Sequence, residues 1–386
     1  MKKTKKGIIF LVIAMLALAI FVPTNQNLKS VHANLDPEIT RKATILIDRA
    51  TNSVLSEENS HQKLPIASVT KLMTVLLSLE QIQQNNLSLE QKITVSENAS
   101  GMGGSQIFLE ANQEYNLGDL LKSVIVASAN DSSVALAEYF AGSEQNFVSK
   151  MNERAKQLNM LDTNYSNCTG LPSNDGYSSA YDQAILLNSV LDFELYHEYS
   201  SIWMEDFVHP TGRTTQMTNT NKLSRFYDGC IGGKTGSTNQ AKYCLAVGAK
   251  RGESELVAVV LGADNSKERF KLASDLLNYG FSNFKTRTIF SNQNLSDKQI
   301  NIKGKDKFLD IIAERDYKML TKIDENPNYS FQFNLPNQIT ETNKGDCIGN
   351  VEIYIDGIKK DTINILSNET VESTSVWDYI KDIINS

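Results

Sequence analysis

The sequence predicts an α+β fold, in which an antiparallel sheet carries helices on both faces and a small β-rich domain follows. An apolar segment near the start of the chain indicates one strand, and two downstream segments indicate its partners: Ala43–Asp48, 243–249 and 256–262. Helical patterns fill the interval between them. Beyond residue 285 the sequence changes to short alternating runs separated by polar turns, a pattern typical of a second, β-rich unit.

Length and composition agree with two folded units. The chain has 386 residues, more than one compact domain usually contains. Apolar residues make up 41% and charged residues 22%, which is typical of a globular protein rather than a fibrous or disordered one. We therefore assign residues 34–284 to a main domain, 285–370 to the β-rich domain and 371–386 to a tail.

The N-terminus predicts a signal peptide over residues 1–33, and hence export. Four lysines precede the apolar run 7–22, and the sequence Val31-His32-Ala33 resembles a cleavage site. A retained membrane anchor is the alternative, but the run has 16 residues, whereas roughly 20 are needed to span a bilayer. Cleavage removes five lysines and no acidic residues, which changes the formal net charge from −7 to −12. Such an acidic protein is a poor candidate for binding nucleic acid or anionic lipid.

The helical segments come next along the chain. The segment that starts at Ser68 is apolar on nearly every side as far as Leu79, which predicts a helix in the middle of the domain. Further helices are expected at 117–125, 133–140, 180–191 and 267–279. The glycine-rich segment 101–105 is not followed by Lys-Ser or Lys-Thr, so no phosphate-binding loop is predicted there.

The tail 371–386 has apolar residues at helical spacing and leaves two interpretations open. It could be an amphipathic helix that contacts a membrane peripherally, or a helix packed on its own domain. Its polar face carries two aspartates and one lysine, which is unfavourable for anionic lipid.

The four cysteines allow three disulfide pairings, and export would permit any of them. Cys230 and Cys244 flank the segment 232–242, which resembles a hairpin, so they are the first candidate pair; buried free thiols are the alternative, and the sequence leaves the pairing open. The spacing indicates neither zinc nor redox chemistry. Histidines are few and form no metal-binding pattern, so no metal site is predicted.

Ser68 is the candidate nucleophile, because residues three apart on a helix share a face and Lys71 can therefore reach its hydroxyl. A lysine acts as a base only when burial or a nearby cation lowers its pKa. We expect Lys234 to be that cation. A Ser-His-Asp triad remains an alternative, although no G-x-S-x-G motif announces one.

No single motif is specific, because the chain contains a second S-x-x-K at Ser282 and a second S-x-N at Ser96. The ordered set is specific: Ser68-Val69-Thr70-Lys71 at a helix start, Ser128-Ala129-Asn130 between helices, and Lys234-Thr235-Gly236 on a strand. This order is typical of penicillin-binding proteins and serine β-lactamases.

The chain resembles the low-molecular-mass penicillin-binding proteins that are serine-type D-alanyl-D-alanine carboxypeptidases. Residues 65–74 read P-I-A-S-V-T-K-L-M-T, similar to the family's P-x-A-S-x-T-K-L-M-T. The stretches 128–138, 167–172, 219–223 and 277–281 are also similar to the family's sequences. The resemblance implies a β-lactamase/transpeptidase-like fold, and it covers residues 40–285 densely.

The resemblance also implies roles for the catalytic residues. Ser68 would attack the carbonyl between the two terminal D-alanines and form an acyl-enzyme, with Lys71 as the base. Ser128 would relay a proton to the leaving group, and Asn130 would hold the substrate amide. Water would then hydrolyse the ester, and the resemblance implies no metal or organic cofactor.

The same resemblance implies a binding strand. Lys234 and Thr235 would bind the substrate's terminal carboxylate, and Gly236 and Ser237 would continue that strand. The backbone N–H groups of Ser68 and Ser237 would form the oxyanion hole. The implied partners are a peptidoglycan stem peptide ending in D-Ala-D-Ala and, as inhibitors, β-lactam antibiotics.

Two departures from the family pattern bear on these roles. The stretch 175–180 lacks the histidine that the family usually carries there, and this difference bears on the deacylation step and on substrate preference. Ala129 replaces the commoner glycine of the S-x-N motif, which is a small change. A secreted β-lactamase and a non-enzymatic wall-binding protein are alternatives. The β-rich domain and the lack of a Glu-x-x-x-Asn motif argue against the first, and the complete motif set argues against the second.

Overall fold

The computed structural model describes residues 33, 35, 36, 38 and 40–373. The predicted signal peptide 1–33, apart from Ala33, and residues 374–386 of the predicted tail lie outside this part of the chain. Within the described part, no helix is both long enough and apolar enough to cross a membrane.

Most of the predicted elements are present, with ends that differ by a few residues. The strands are β1 Ala43–Asp48, β2 Val54–Glu58, β3 Lys92–Thr94, β4 Glu114–Asn116, β5 Met204–Val208, β6 Thr214–Thr218, β7 Cys230–Thr238, β8 Lys242–Arg251, β9 Ser254–Ala263, β10 Phe284–Phe290, β11 Asn301–Ile302, β12 Ile311–Ala313, β13 Tyr317–Lys322, β14 Tyr329–Asn334, β15 Gln338–Ile339, β16 Cys347–Ile355 and β17 Ile358–Ser367. The helices are α1 Lys71–Gln84, α2 Glu97–Ser100, α3 Leu117–Val126, α4 Asn130–Ala141, α5 Glu144–Gln157, α6 Ala180–Val190, α7 Glu194–Ser201, α8 Leu223–Phe226 and α9 Ser266–Asn283, with 3-10 helices at Ala67–Thr70 and Asn292–Leu295.

The main sheet is antiparallel and has the strand order β2-β1-β9-β8-β7. Successive side chains of a strand point to opposite faces. Ile45 and Ile47 accordingly join the core that contains α1, α3, α4, α5 and α6, whereas Leu46 joins the core beneath α9. Helices therefore cover both faces of the sheet, which confirms the predicted α+β class.

Strand β7 is an edge of this sheet, and the 3-10 helix that carries Ser68 packs directly on it. A Cβ atom added to Gly236 would lie 2.5 Å from the Ile66 carbonyl oxygen and 2.9 Å from the Ser68 nitrogen. Only glycine allows this approach. The sheet edge and the start of α1 thus form the two walls of one groove.

Of the two alternatives for Cys230 and Cys244, a disulfide or free thiols, the structure has free thiols, as it has for the other two cysteines. The predicted hairpin segment 232–242 covers most of β7, and the turn between β7 and β8 occupies only residues 239–241. The strand register then places Cys230 opposite Ala249 and Cys244 opposite Gly236, far apart along the hairpin. Cys244 is buried, and Cys230 lies at the outer end of the edge strand.

The second unit is β-rich, as predicted. Its largest sheet has the order β12-β17-β16-β14 and packs around an aliphatic and aromatic core. Strand β10 connects the two units: Phe284 belongs to the core beneath α9, and Phe290 belongs to the core of the second unit. At its middle, Thr286 donates a hydrogen bond to the buried Asp48 carboxylate of β1, with an oxygen–oxygen distance of 2.5 Å.

Candidate active site

The predicted serine–lysine pair is present. Ser68 lies in the 3-10 helix, and Lys71 is the first residue of α1, so the three-residue spacing brings the two side chains together. The distance between Lys71 Nζ and Ser68 Oγ is 3.0 Å. Ser68 is half-buried, whereas Lys71 is fully buried. The hydroxyl is therefore open to a ligand, and the amine is shielded behind it.

Burial lowers the pKa of Lys71 from 10.5 to about 7, and the nearby Cys168 and Asp131 oppose this shift. Of the two causes considered from the sequence, burial or the Lys234 cation, burial is therefore the one that lowers this pKa. The Thr169 carbonyl oxygen accepts a hydrogen bond from Lys71 Nζ at 2.6 Å. A neutral amine can donate to this carbonyl while its lone pair accepts the Ser68 proton.

The Thr169 carbonyl is held in place by the loop 167–172, a contribution that the sequence alone did not reveal. Thr74 of α1 donates a hydrogen bond to the Cys168 carbonyl oxygen at 2.7 Å. Gly170 adopts a φ of +77°, and a Cβ atom there would lie 2.0 Å from the Ala67 carbonyl oxygen. The loop therefore packs against the nucleophile's own turn.

Lys234 lies on β7 and donates to Ser128 Oγ at 2.7 Å and to the Thr235 carbonyl oxygen at 3.1 Å. It is buried, and its pKa is well below 10.5, first through desolvation and then through repulsion from Lys71 and Arg269. Repulsion between two buried amines favours a single positive charge shared by the pair. An incoming carboxylate would stabilise that charge on Lys234.

Ser128 has a φ of +62°, an unfavourable conformation for serine. It lies in the short connection between α3 and α4, and only 3% of its surface is exposed. Strain of this kind persists only where surrounding contacts impose it, and it is frequent at functional sites. Here it directs the hydroxyl towards Lys234.

Asn130, the first residue of α4, is buried beside Ser128. Its Nδ2 donates to the Gly103 carbonyl oxygen at 2.6 Å, and its backbone N–H donates to the Ser105 carbonyl oxygen at 2.7 Å. Within the described part of the chain its Oδ1 is buried and has no hydrogen-bond partner. A buried acceptor without a partner is costly, so this oxygen is available to a ligand N–H.

The remaining predicted residues follow Lys234 along β7. Thr235 is nearly buried, Gly236 faces the Ser68 turn, and the Ser237 side chain is exposed. Arg269 of α9, which the sequence analysis did not single out, donates to the Gly236 carbonyl oxygen at 3.0 Å. It supports the strand from behind the groove.

This arrangement suits acyl transfer. It combines a hydroxyl 3.0 Å from an amine whose pKa is about 7 with a second buried amine beside a second hydroxyl. Proton transfer and carboxylate recognition are therefore both available in one groove. Among the described residues, no group of three or more histidines, cysteines or acidic residues could hold a metal ion.

Both units of the chain match known protein families. The sequence profile of the D-alanyl-D-alanine carboxypeptidase family matches residues 29–265, and that of the C-terminal domain of penicillin-binding protein 5 matches residues 284–373. The chain is 40% identical over 288 residues to D-alanyl-D-alanine carboxypeptidase DacF of Bacillus subtilis (strain 168), covering 74% of each protein. It is 30% identical over 364 residues to D-alanyl-D-alanine carboxypeptidase DacC of Escherichia coli (strain K12), covering 89% of this chain and 88% of that protein.

A solved structure, that of penicillin-binding protein 5 from Haemophilus influenzae, is similar with a TM-score of 0.68 and 29% identity. The match covers 88% of this chain and 99% of that one. Both predicted units thus have counterparts in one solved protein. From the matching profile, the identity to named relatives and the shared architecture, we conclude that this chain belongs to the D-alanyl-D-alanine carboxypeptidase family.

Proposed function

We propose that this protein removes the terminal D-alanine from peptidoglycan stem peptides that end in D-Ala-D-Ala, through an acyl-enzyme on Ser68. The observation that carries this proposal is the Ser68–Lys71 contact at 3.0 Å, with the amine buried and its pKa lowered to about 7. The enzyme is accordingly a serine-type hydrolase that requires no organic cofactor for this chemistry.

Each bond of the reaction can be assigned to a group in the groove. Lys71 takes the hydroxyl proton as Ser68 Oγ bonds to the carbonyl carbon between the two D-alanines. The N–H groups of Ser68 and Ser237 then stabilise the oxyanion. As the carbon–nitrogen bond breaks, the proton passes through Ser128 to the leaving amine. D-Alanine departs, and water cleaves the ester to restore Ser68.

Recognition of the substrate uses the opposite side of the groove. The terminal carboxylate binds Lys234 and Thr235, and Gly236 lets the substrate and the Ser68 turn share the edge of the sheet. The unpaired Oδ1 of Asn130 accepts a substrate N–H. A β-lactam presents a carboxylate and a strained amide to the same groups, so these antibiotics should acylate Ser68 as well.

Export and location form part of the proposal. The predicted signal peptide 1–33 would deliver the protein to the outer side of the membrane, where peptidoglycan lies. Peripheral membrane contact through the tail 371–386 is the corresponding proposal for its attachment.

Labelled penicillin tests the nucleophile. Label should attach to the wild-type protein and not to Ser68→Ala. Ser282→Ala is the matched control, because Ser282 belongs to the chain's other S-x-x-K sequence and its variant should remain labelled. Persistent labelling of Ser68→Ala would show that the nucleophile is assigned wrongly.

A paired turnover assay distinguishes the alternatives. A pentapeptide ending in D-Ala-D-Ala should release free D-alanine, while penicillin remains bound for a long time. Rapid hydrolysis of penicillin with an intact peptide would instead identify a β-lactamase. If the protein neither turns over the peptide nor becomes labelled, it is a wall-binding protein without activity.

A further inference from the structure

Strand β7 contains a β-bulge at Ile231, three residues before Lys234. The register advances from Cys230 to Gly232 on β7 while β8 advances by a single residue, so Ile231 is the extra residue of the pair. Gly232 has a φ of +141°, in the region that favours glycine. Bulges of this kind bend a strand and often lie next to active sites, where they redirect a side chain.

The extra residue decides on which face of the sheet Lys234 lies. Lys234 is paired with Ala246, whose side chain belongs to the core around α1, and directly opposed residues of two strands project from the same face. Without the bulge the register would shift by one residue, and Lys234 would lie opposite Leu245. Leu245 belongs to the core beneath α9, on the other face. The bulge is therefore necessary for Lys234 to reach Ser128 in the groove.

His197 of α7 contacts the bulge through its ring. Nδ1 lies 3.0 Å from the Ile231 carbonyl oxygen, and Nε2 lies 2.8 Å from the carbonyl oxygen of Leu191, the residue directly after α6. A carbonyl oxygen can only accept, so the bond to the bulge requires the proton on Nδ1 and the bond to Leu191 requires the proton on Nε2. Helix α6 packs on the central strands of the sheet. The ring thus connects the bulge to a part of the core that is held independently of β7.

Helix α7 also packs against the second residue of the bulge. A Cβ atom on Gly232 would lie 2.7 Å from the ring of Tyr196 and 3.0 Å from the Ser200 hydroxyl oxygen. The Tyr196 side chain is fully buried. This packing limits how far the bulge can move towards α7, whereas the hydrogen bond from His197 fixes the direction of the Ile231 carbonyl.

We propose that His197 is a positioning residue, whose Nδ1–H bond to the Ile231 carbonyl holds the bulge and thereby keeps Lys234 and Thr235 where they bind the substrate's terminal carboxylate. This inference rests on the proposed function. If the bond were lost, the bulge would shift, and Lys234 is only three residues further along the same strand. The nucleophile and its base lie on the 3-10 helix and α1, and they would keep their geometry. Recognition of the carboxylate should therefore weaken more than the attack by the serine.

Two variants separate the two contacts of the ring. In His197→Asn the amide nitrogen takes the place of Nδ1, so it can still donate to the Ile231 carbonyl. In His197→Gln the amide nitrogen takes the place of Nε2, so it can donate only to the Leu191 carbonyl. The assay is the second-order rate of acylation by benzylpenicillin and by benzylpenicillin methyl ester, in which the carboxylate is masked.

The expected result is a selective loss in one variant. His197→Gln should slow acylation by benzylpenicillin about fivefold, the effect of one lost hydrogen bond, and acylation by the ester by less than about twofold. His197→Asn should keep both rates close to those of the wild-type protein. Since both rates are measured on the same sample, their ratio does not depend on how much of a variant is folded.

Two results would overturn the proposal. Equal slowing with the acid and the ester would show that His197 is merely structural. Equal behaviour of the two variants, or a selective loss in His197→Asn alone, would show that the contact with the bulge does not position the strand.

His61→Gln is the matched control. His61 is also hydrogen-bonded through Nδ1, but its partner is the Asp162 carboxylate at 2.9 Å rather than a residue of β7. Its ratio of the two rates should equal that of the wild-type protein, and a lowered ratio would count against the proposal. Failure of benzylpenicillin to acylate the wild-type protein would instead refute the proposed function itself.

Discussion

Raising the pH from about 6 to about 8 should increase the rate at which Ser68 is acylated. Lys71 can accept the hydroxyl proton only when its amine is neutral. Burial disfavours the charged amine, so the pKa falls from 10.5 to about 7 and the neutral form becomes available near neutrality. At its ordinary pKa the same side chain would remain charged throughout this range.

The magnitude follows from the position of this pKa. One unit below it about a tenth of Lys71 is neutral, and one unit above it about nine tenths is neutral. The rate should therefore rise about tenfold between these pH values and level off above them. Below about pH 6 it should fall about tenfold for each further unit.

The assay is the second-order rate of acylation by a fluorescent penicillin, measured across this pH range. Lys71→Arg should be inactive throughout, because arginine does not lose its proton. Lys234→Arg is the matched control, because it keeps a cation beside Ser128 while Lys71 stays buried. Penicillin should bind this variant more weakly, but its acylation rate should still fall as the pH drops below about 7. A midpoint near 10 in the wild-type protein, or an unchanged profile in Lys71→Arg, would refute Lys71 as the base.

Two further outcomes test the packing of the groove and the state of the cysteines. Gly170→Ala should lower the free energy of unfolding in urea by at least about 2 kcal/mol and slow acylation, since the new Cβ would lie 2.0 Å from the Ala67 carbonyl oxygen. Gly142→Ala is the control that separates backbone strain from steric collision, because Gly142 has a φ of +76° but open surroundings. If Gly170→Ala lowers the free energy of unfolding by no more than this control does, the close approach at Gly170 is contradicted. Thiol titration of the unreduced, denatured protein should give four free groups, and two missing thiols would indicate a disulfide.

Local patterns predicted much of the catalytic centre. The Ser68–Lys71 contact depends on a three-residue spacing within one helical turn, and strand β1 was predicted with the bounds it has, because an apolar run delimits it. The Ser128–Lys234 contact joins residues 106 positions apart. The sequence did not predict this contact; it placed both residues in one site only because the three motifs occur together in the order typical of a known family.

Other features depend on contacts that a sequence pattern does not record. The Thr169 carbonyl that bonds Lys71 is a backbone group, and any residue could supply it. The strength of desolvation at Lys71 depends on how completely several elements enclose it, so the sequence left burial and the Lys234 cation as alternative causes of its lowered pKa. The sequence left open whether Cys230 and Cys244 form a disulfide, because a thiol's partner depends on strand register and on the length of the connecting turn.

Strand β10 has a consequence for how the protein unfolds. Phe284 and Phe290 anchor its two ends in different cores, and Thr286 hydrogen-bonds to Asp48 in the main sheet. Loss of either core would remove packing from the strand that completes the other, and it would leave the buried Asp48 carboxylate without the Thr286 hydroxyl, one of its two hydroxyl partners. The two units should therefore melt in a single cooperative transition, unlike domains joined by a flexible linker.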